Sequence, residues 1–241
     1  MKKILLLTLA FSITSYAQVQ QTLNKLPQLS SKISGLGLGG VDIASGLKEA
    51  LDKGISKQVT KLTATDGFYK NEAVKILMPD ELQKVDATLR KIGLSSLADE
   101  GIKVLNRAAE DAVKEATPIF VSAVKNMSIN DAKTILLGNE SAATTYLQSS
   151  TTTSLYSKFN PVIKESFSKV GADAIWSNII AKYNNIPFVK KVNPDLTDYT
   201  TNQALAGVFK MIAVEEKTIR TDISSRTSPL LKKVFAMQDK K

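Results

Sequence analysis

The apolar residues of this chain recur at intervals of three and four positions, which is the period of an α-helix. The first long stripe consists of Ile43, Leu47, Leu51, Ile55, Val59 and Leu62. No segment alternates apolar and polar residues between hairpin turns, and no unit repeats at a fixed period. The sequence therefore predicts an all-α fold, a compact and bundle-like multi-helix domain.

Proline and capping residues predict where several helices begin. Asp42 is placed to cap the first helix, and Pro79 to open a second helix that ends at Gly93. Three further dipeptides pair a capping residue with proline and predict helix starts in the same way: Asn160-Pro161, Asn193-Pro194 and Ser228-Pro229. Ser128 and Asp131 have the spacing of a capping box, and Gly138 is predicted to close that short helix.

Two segments leave alternatives open. Thr117-Pro118 can open a new helix or kink a longer one that runs from Ser95 to Met127. Residues 141–158 are rich in Ser and Thr, which suits a loop, although the spacing of Tyr146, Leu147 and Leu155 favours a helix. Beyond Pro161 the pattern predicts one or two helices, then a last long helix and a short C-terminal one. Leu205, Val208, Phe209, Ile212, Ile219 and Ile223 mark the long helix, and Leu230, Leu231, Val234 and Phe235 the short one.

The N-terminus has the three parts of a secretory signal peptide. Lys2 and Lys3 precede a short apolar run, and Ser15-Tyr16-Ala17 is a small-residue cleavage site. Cleavage after Ala17 is the expected outcome; an uncleaved anchor is the alternative, but the apolar run falls short of the roughly 20 residues that span a bilayer. We therefore expect a signal peptide at 1–17, a flexible lead-in at 18–41, a single helical domain at 42–241, and a periplasmic or secreted location.

Composition excludes most familiar catalytic sites. The 241 residues contain no His and no Cys, which removes the Ser-His-Asp triad, the thiol nucleophile, the disulfide and the His or Cys metal ligand. The net charge is +9, and about +7 once Lys2 and Lys3 are removed. This excess permits weak attraction to anionic surfaces, but no nucleic-acid motif accompanies it, and no transmembrane segment is predicted in the mature chain.

Two short motifs are interpreted as chance matches. Gly35, Gly37 and Gly40 match the dinucleotide-binding fingerprint, but no predicted strand precedes them. Ser122 and Lys125 have the spacing of the penicillin-binding nucleophile, but its companion motifs are missing. No EF-hand spacing occurs, and a metal site here would need oxygen ligands alone. The sequence predicts no cofactor, no metal and no catalytic residue.

Polar residues interrupt two apolar helix faces. Asn106 and Glu110 border a face made of Leu105 and small alanines, with Arg107 beside them. Glu216 lies in line with Ile212 and Ile219, and Arg220 follows one turn later. Buried polar groups need partners, so each set is predicted to form a structural Arg–Glu pair or, less favoured, a ligand-binding or acid–base site.

Several segments together resemble a known family. They are Gly46-Leu-Lys-Glu-Ala-Leu51, Asp66-Gly-Phe68, Leu105-Asn-Arg-Ala-Ala-Glu110, Asp131-Ala-Lys-Thr-Ile-Leu136, Ala142-Ala-Thr-Thr-Tyr146, Phe159-Asn-Pro161, Glu216-Lys-Thr-Ile-Arg220 and Leu230-Leu-Lys-Lys-Val-Phe235. In this order they are similar to a widespread bacterial family of exported helical proteins catalogued as a domain of unknown function. The resemblance covers residues 42 to 237. It implies export and an all-helical fold, and it implies no activity or cofactor.

The sequence therefore supports three hypotheses about function. The favoured one is an exported, non-enzymatic protein that binds an envelope protein or a lipid-like, apolar or amphipathic ligand between its helices. The second is a hydrolase that uses Glu110 or Glu216 as acid or base beside Arg107 or Arg220. The third is a purely structural envelope protein. Two closed Arg–Glu pairs would count against the hydrolase, and an elongated apolar cavity would favour ligand binding.

Overall fold

A computed structural model describes residues 39–239, apart from positions 92, 94, 172–173, 175, 178–179, 182–183, 186, 189–190 and 192–194. The predicted signal peptide, all but the end of the predicted lead-in, and the predicted helix start at Asn193-Pro194 lie outside the described residues. Gly35 and Gly37 of the glycine motif also lie outside them.

The described residues are helical, as predicted, and include no strand. They include the α-helices α1 (Gly40–Thr63), α2 (Asp80–Lys91), α3 (Ser95–Val113), α4 (Ala116–Asn126), α5 (Ile129–Leu137), α6 (Ala142–Lys169), α7 (Thr197–Thr221) and α8 (Pro229–Phe235). Short 3₁₀ turns occupy Ile223–Ser225 and Ala236–Gln238. Within the described part of the chain, no helix combines the length and the apolar character needed to cross a membrane.

Helices α1 and α7 are at the centre of the packing. Helix α7 packs against α1, α3 and α6, and α1 also contacts α4, α5 and α8. Their buried apolar side chains form one contiguous cluster. Two glycines allow especially close approach, because a Cβ atom would lie 2.6 Å from Val234 at Gly46 and 2.7 Å from Phe68 at Gly207. The all-α architecture thus has a shared core that fixes where its polar side chains lie.

The start of α1 differs from the prediction that Asp42 is its N-cap. The helix begins at Gly40, so Gly39 is the N-cap and Asp42 lies three residues further on. The Asp42 carboxylate accepts a hydrogen bond from the backbone N–H of Gly39 at 3.0 Å. An acidic side chain is favourable both at the N-cap and in the first turn of a helix. The sequence alone does not distinguish these two positions, so the predicted boundary lies three residues too late.

The predicted helix start at Asn160-Pro161 is wrong. Pro161 lies inside α6, which runs through it for 28 residues. Proline removes one backbone hydrogen bond, but Phe159, Ile163 and Phe167 continue a buried stripe on both sides of it. Core packing on this stripe keeps the chain helical, so the segments before and after the proline form one helix.

The hydroxyl-rich segment at 141–158, which could have been a loop or a helix, belongs to helix α6. Its hydroxyl groups donate to carbonyls one turn earlier, as Thr151 does to Leu147 at 2.6 Å and Thr152 to Gln148 at 2.6 Å. The hydroxyl groups therefore have hydrogen-bond acceptors within the helix. They do not draw the backbone into the turns that Ser and Thr side chains otherwise favour.

Other predicted boundaries are confirmed. Helix α4 starts anew at Ala116 with Pro118 in its first turn, so Thr117-Pro118 belongs to a separate helix. The capping box of Ser128 and Asp131 is present at α5, and Ser128 Oγ accepts from the Asp131 N–H at 3.1 Å. Ser228 caps α8 ahead of Pro229. Ile223 is an exception, because it lies in a 3₁₀ turn after α7 and is mostly exposed.

Candidate functional site

Glu216 lies inside the protein and caps a helix that is distant in sequence. Its carboxylate accepts hydrogen bonds from the backbone N–H groups of Ala143 at 2.9 Å and Thr144 at 2.8 Å, and from the Thr144 hydroxyl at 2.8 Å. Ala143 and Thr144 belong to the first turn of α6, where backbone N–H groups have no partner within the helix. The negative charge also faces the positive end of the α6 dipole.

Arg220 connects Glu216 to the end of α5, the helix that precedes α6 in the chain. Its guanidinium donates to the Glu216 carboxylate at 2.8 and 3.0 Å, and to the backbone carbonyls of Ile135 at 2.9 Å and Leu136 at 3.2 Å. These carbonyls lie in the last turn of α5, the negative end of its dipole. We call Thr144, Glu216 and Arg220 the junction cluster, because they join the C-terminus of α5 to the N-terminus of α6.

Asn106 holds a loop against α3. Its side-chain oxygen accepts from the Ile76 N–H at 2.8 Å, and its amide nitrogen donates to the carbonyls of Ile76 at 2.8 Å and Ile102 at 2.7 Å. Asn106 is completely buried. It therefore pairs with both backbone groups of Ile76, as a neighbouring strand would, in a segment that lacks regular secondary structure.

Glu110 holds the other end of the same loop. Its carboxylate accepts from the backbone N–H groups of Phe68 at 3.0 Å and Tyr69 at 3.3 Å, and from Arg107 at 2.5 Å. Arg107 also donates to Asp66, which forms a second ion pair with Lys70 at 2.8 Å. We call Asp66, Asn106, Arg107 and Glu110 the loop clamp.

The turn at Asp66 explains one of the family-like segments. Asp66 has a φ of 68°, in the left-handed region that Asp tolerates better than most residues. A Cβ atom at Gly67 would lie 2.5 Å from the backbone oxygens of Lys61 and Leu62, so only glycine fits there. The hydrogen bond from Lys70, together with Arg107, holds the pKa of Asp66 below its usual range.

The structure thus places the five predicted residues in two separate sets. Asn106, Arg107 and Glu110 lie in the loop clamp, and Glu216 and Arg220 in the junction cluster. Every carboxylate oxygen of Glu110 and Glu216 accepts at least one hydrogen bond from the protein. Both arrangements are closed Arg–Glu pairs that use their hydrogen-bonding capacity on the fold.

Sequence reasoning missed two other buried polar sets. Arg226 is 1% exposed and donates to the carbonyls of Ile219 and Arg220 at the end of α7 and to Asp239. Glu215 accepts from Lys57 at 2.8 Å and Gln58 at 2.7 Å on α1. Arg226 follows the helix end, where a basic residue matches the dipole, and that position was an available clue.

One small cavity lies among the helices that carry the junction cluster and their neighbours. The cavity between α1 and α7 has a volume of about 20 Å³ and is lined mainly by apolar residues such as Leu47, Ile55 and Ile212. That is room for one water molecule. Among the described residues, no cluster of three acidic side chains could hold a metal ion.

An open depression lies between α3 and the end of α6 and has a volume of about 720 Å³. We call it the α3–α6 groove. Its apolar lining consists of Tyr69, Val104, Ala108 and Val170, its basic lining of Lys103, Arg107 and Lys169, and its acidic lining of Asp99, Glu100 and Asp111. Arg107 therefore belongs both to the loop clamp and to the groove wall.

Fold and site together define an all-helical protein whose buried ionic groups brace helix ends and a loop. Residues 37–236 match the family model DUF4197, described as a protein of unknown function, and the chain belongs to that family. The family expected from the resemblance is thereby confirmed. No curated protein and no solved structure matches the sequence.

Proposed function

We propose that this protein is an exported, non-enzymatic binding protein and that its ligand occupies the α3–α6 groove. The observation that carries the proposal is the groove itself, whose volume of about 720 Å³ lies in the range of small-molecule and peptide sites. The cavity between α1 and α7 is far too small for a ligand, whereas this surface depression has room for one.

The lining of the groove supports an amphipathic ligand. Tyr69 and Val104 supply apolar surface, while Lys103 and Glu100 form no ion pair with the part of the chain that the structure describes. A ligand with apolar groups and charges of both signs matches this surface, and a segment of a partner protein has that character.

The geometry of the two carboxylates supports a non-enzymatic role. A general acid or base needs a free oxygen within reach of substrate. Glu216 is buried and fully engaged by two helix N–H groups, a hydroxyl and Arg220, and Glu110 is engaged by two loop N–H groups and Arg107. Using either as a proton carrier would remove a bond that holds the fold.

Export is proposed on the sequence alone. The charged start, the short apolar run and the Ser15-Tyr16-Ala17 site support cleavage after Ala17 and a periplasmic or secreted product. N-terminal sequencing of the protein purified from its host tests this part, and Gln18 is the expected first residue.

Native mass spectrometry of the protein purified from its host tests the binding proposal. The test variant is K103E, which reverses an exposed groove charge, and the matched control is K210E, which makes the same charge change elsewhere. We expect a bound species on the wild type and the control, and its loss from the groove variant, with equal melting temperatures. A wild type without bound species, or a species retained by the groove variant, would overturn the proposal.

A further inference from the structure

A second groove lies between α6 and α4. Its volume is about 530 Å³. One wall is the ridge Tyr146, Ser150, Ser154 and Lys158 of α6, whose members are four residues apart. Residues at that spacing lie above one another on a helix, so this wall is about 18 Å long at 1.5 Å per residue.

The residues of the facing wall, on α4, have the same four-residue spacing. Pro118, Ser122 and Asn126 are four residues apart on α4, and Ile119 and Ala123 lie beside them. The groove thus has hydroxyl and amide groups along both sides and an aliphatic strip of Pro118, Ile119 and Ala123. This composition differs from that of the α3–α6 groove, whose walls carry six charged residues.

Several polar groups of this second groove have unused hydrogen-bonding capacity. The hydroxyls of Tyr146 and Ser154 make no hydrogen bond within the described part of the chain, and neither is a buried unsatisfied atom. The Tyr146 hydroxyl is protonated at neutral pH and can donate, and burial raises its pKa further. The exposed Ser150 hydroxyl gives its proton to a carbonyl of the preceding turn and keeps its lone pairs as acceptors.

Charge adds a further requirement. Lys158 is exposed, lines the groove and has no ion-pair partner among the described residues. No Asp or Glu lines this groove. A ligand that fits must therefore present many hydroxyl groups, an apolar face and at least one negative charge.

We propose that the α4–α6 groove binds a short acidic oligosaccharide. Sugar hydroxyls both donate and accept, which matches the donors Tyr146 and Ser154 and the acceptor Ser150. The C–H face of a sugar ring packs on the aliphatic strip, and the ligand's carboxylate pairs with Lys158. This proposal is independent of the α3–α6 groove and of the function proposed for it.

Titration calorimetry and NMR on the protein purified from its host test this inference. The probes are a tetrasaccharide of alternating N-acetylhexosamine and uronic acid, a neutral N-acetylglucosamine tetramer, and inorganic phosphate. We expect the acidic tetrasaccharide to bind, with amide shifts confined to α4 and α6. We expect weaker binding of the neutral tetramer and no binding of phosphate alone.

Matched variants locate the site. S154W fills the groove and should abolish binding, whereas S157W places the same bulk on an exposed α6 serine outside the lining. K158Q should weaken binding of the acidic probe about three- to fivefold, with K164Q as its control on the same helix. Absent binding of the acidic tetrasaccharide, equal binding of phosphate alone, or equal affinity in S154W and S157W would each overturn the proposal.

Discussion

The junction cluster and the loop clamp use the same pair of residue types for different purposes. In the junction cluster the Arg220 and Glu216 side chains are 5% and 6% exposed. In the loop clamp Glu110 is equally buried, but the Arg107 side chain is 33% exposed and borders the α3–α6 groove. Burial therefore separates an ion pair that only holds helix ends together from one that also faces a binding surface.

The two clusters also differ in which backbone groups their side chains bind. Glu216 supplies the cap of α6, where Ser141 makes no side-chain capping bond. Glu110 and Asn106 supply hydrogen-bond partners to a loop that has no strand beside it. In both cases a side chain from another helix satisfies backbone groups that local structure leaves without a partner.

Removing the carboxylate of the junction cluster should cause the largest loss of stability. E216A leaves Arg220 buried without its counter-ion and leaves the first turn of α6 uncapped, so we expect a loss of about 3–5 kcal/mol. Urea denaturation at pH 7 measures it. The double variant E216A/R220M should lose less than the sum of its single variants, and a loss below about 1 kcal/mol in E216A would contradict the account.

A substitution in the loop clamp should cause the next largest loss of stability. N106A leaves the buried N–H and C=O of Ile76 without partners, and we expect a loss of about 2–3 kcal/mol. Hydrogen exchange followed by mass spectrometry should show faster exchange in residues 66–79. N126A, at an exposed asparagine, is the matched control and should change neither quantity.

A single substitution at the exposed arginine should have a smaller effect. R107Q leaves Glu110 with the N–H groups of Phe68 and Tyr69, so we expect a loss of about 1 kcal/mol. R220Q, its matched variant in the junction cluster, should lose several times more because a buried carboxylate and two helix carbonyls lose their donor. Equal losses in the two variants would break the distinction based on burial.

The helical architecture could be predicted from sequence because it depends on the spacing of apolar residues. The stripe from Ile43 to Leu62 and the capping box at Ser128 act over one or two turns, and both are confirmed. Pro161 was misjudged because its cost is offset by the burial of Phe159 and Ile163, which tertiary packing decides.

The candidate site could be predicted only in part. Periodicity identified Glu110 and Glu216 as polar residues on buried faces, and the i,i+3 and i,i+4 spacings identified Arg107 and Arg220 as their partners. The other hydrogen bonds of Glu216 come from Ala143 and Thr144, more than 70 residues away, and no local pattern encodes that contact. Both grooves are formed between helices, so their existence depends on the tertiary packing as well.

The smallest expected effect in the loop clamp is that of D66N, and it should depend on pH. The pKa of Asp66 is lowered in the folded state, mainly by its hydrogen bond to Lys70, so its contribution to stability is present above the unfolded-state value. That contribution begins to fall near the unfolded-state value of about 4 and is lost as pH falls through the lower folded-state pKa and the carboxylate is protonated. Thermal melts of wild type and D66N should therefore differ at pH 7 and converge at low pH, and a constant difference would contradict this assignment.

Amide hydrogen exchange measured by NMR tests the central claim most directly, which is that these buried polar residues cap helix ends and a loop. The amides of Ala143 and Thr144 lie in a first helical turn, and those of Phe68 and Ile76 lie in a loop. Such amides ordinarily exchange fast. We predict strong protection of all four in the wild type, lost at Ala143 and Thr144 in E216Q and at Ile76 in N106A. Fast exchange of these amides in the wild type would contradict it.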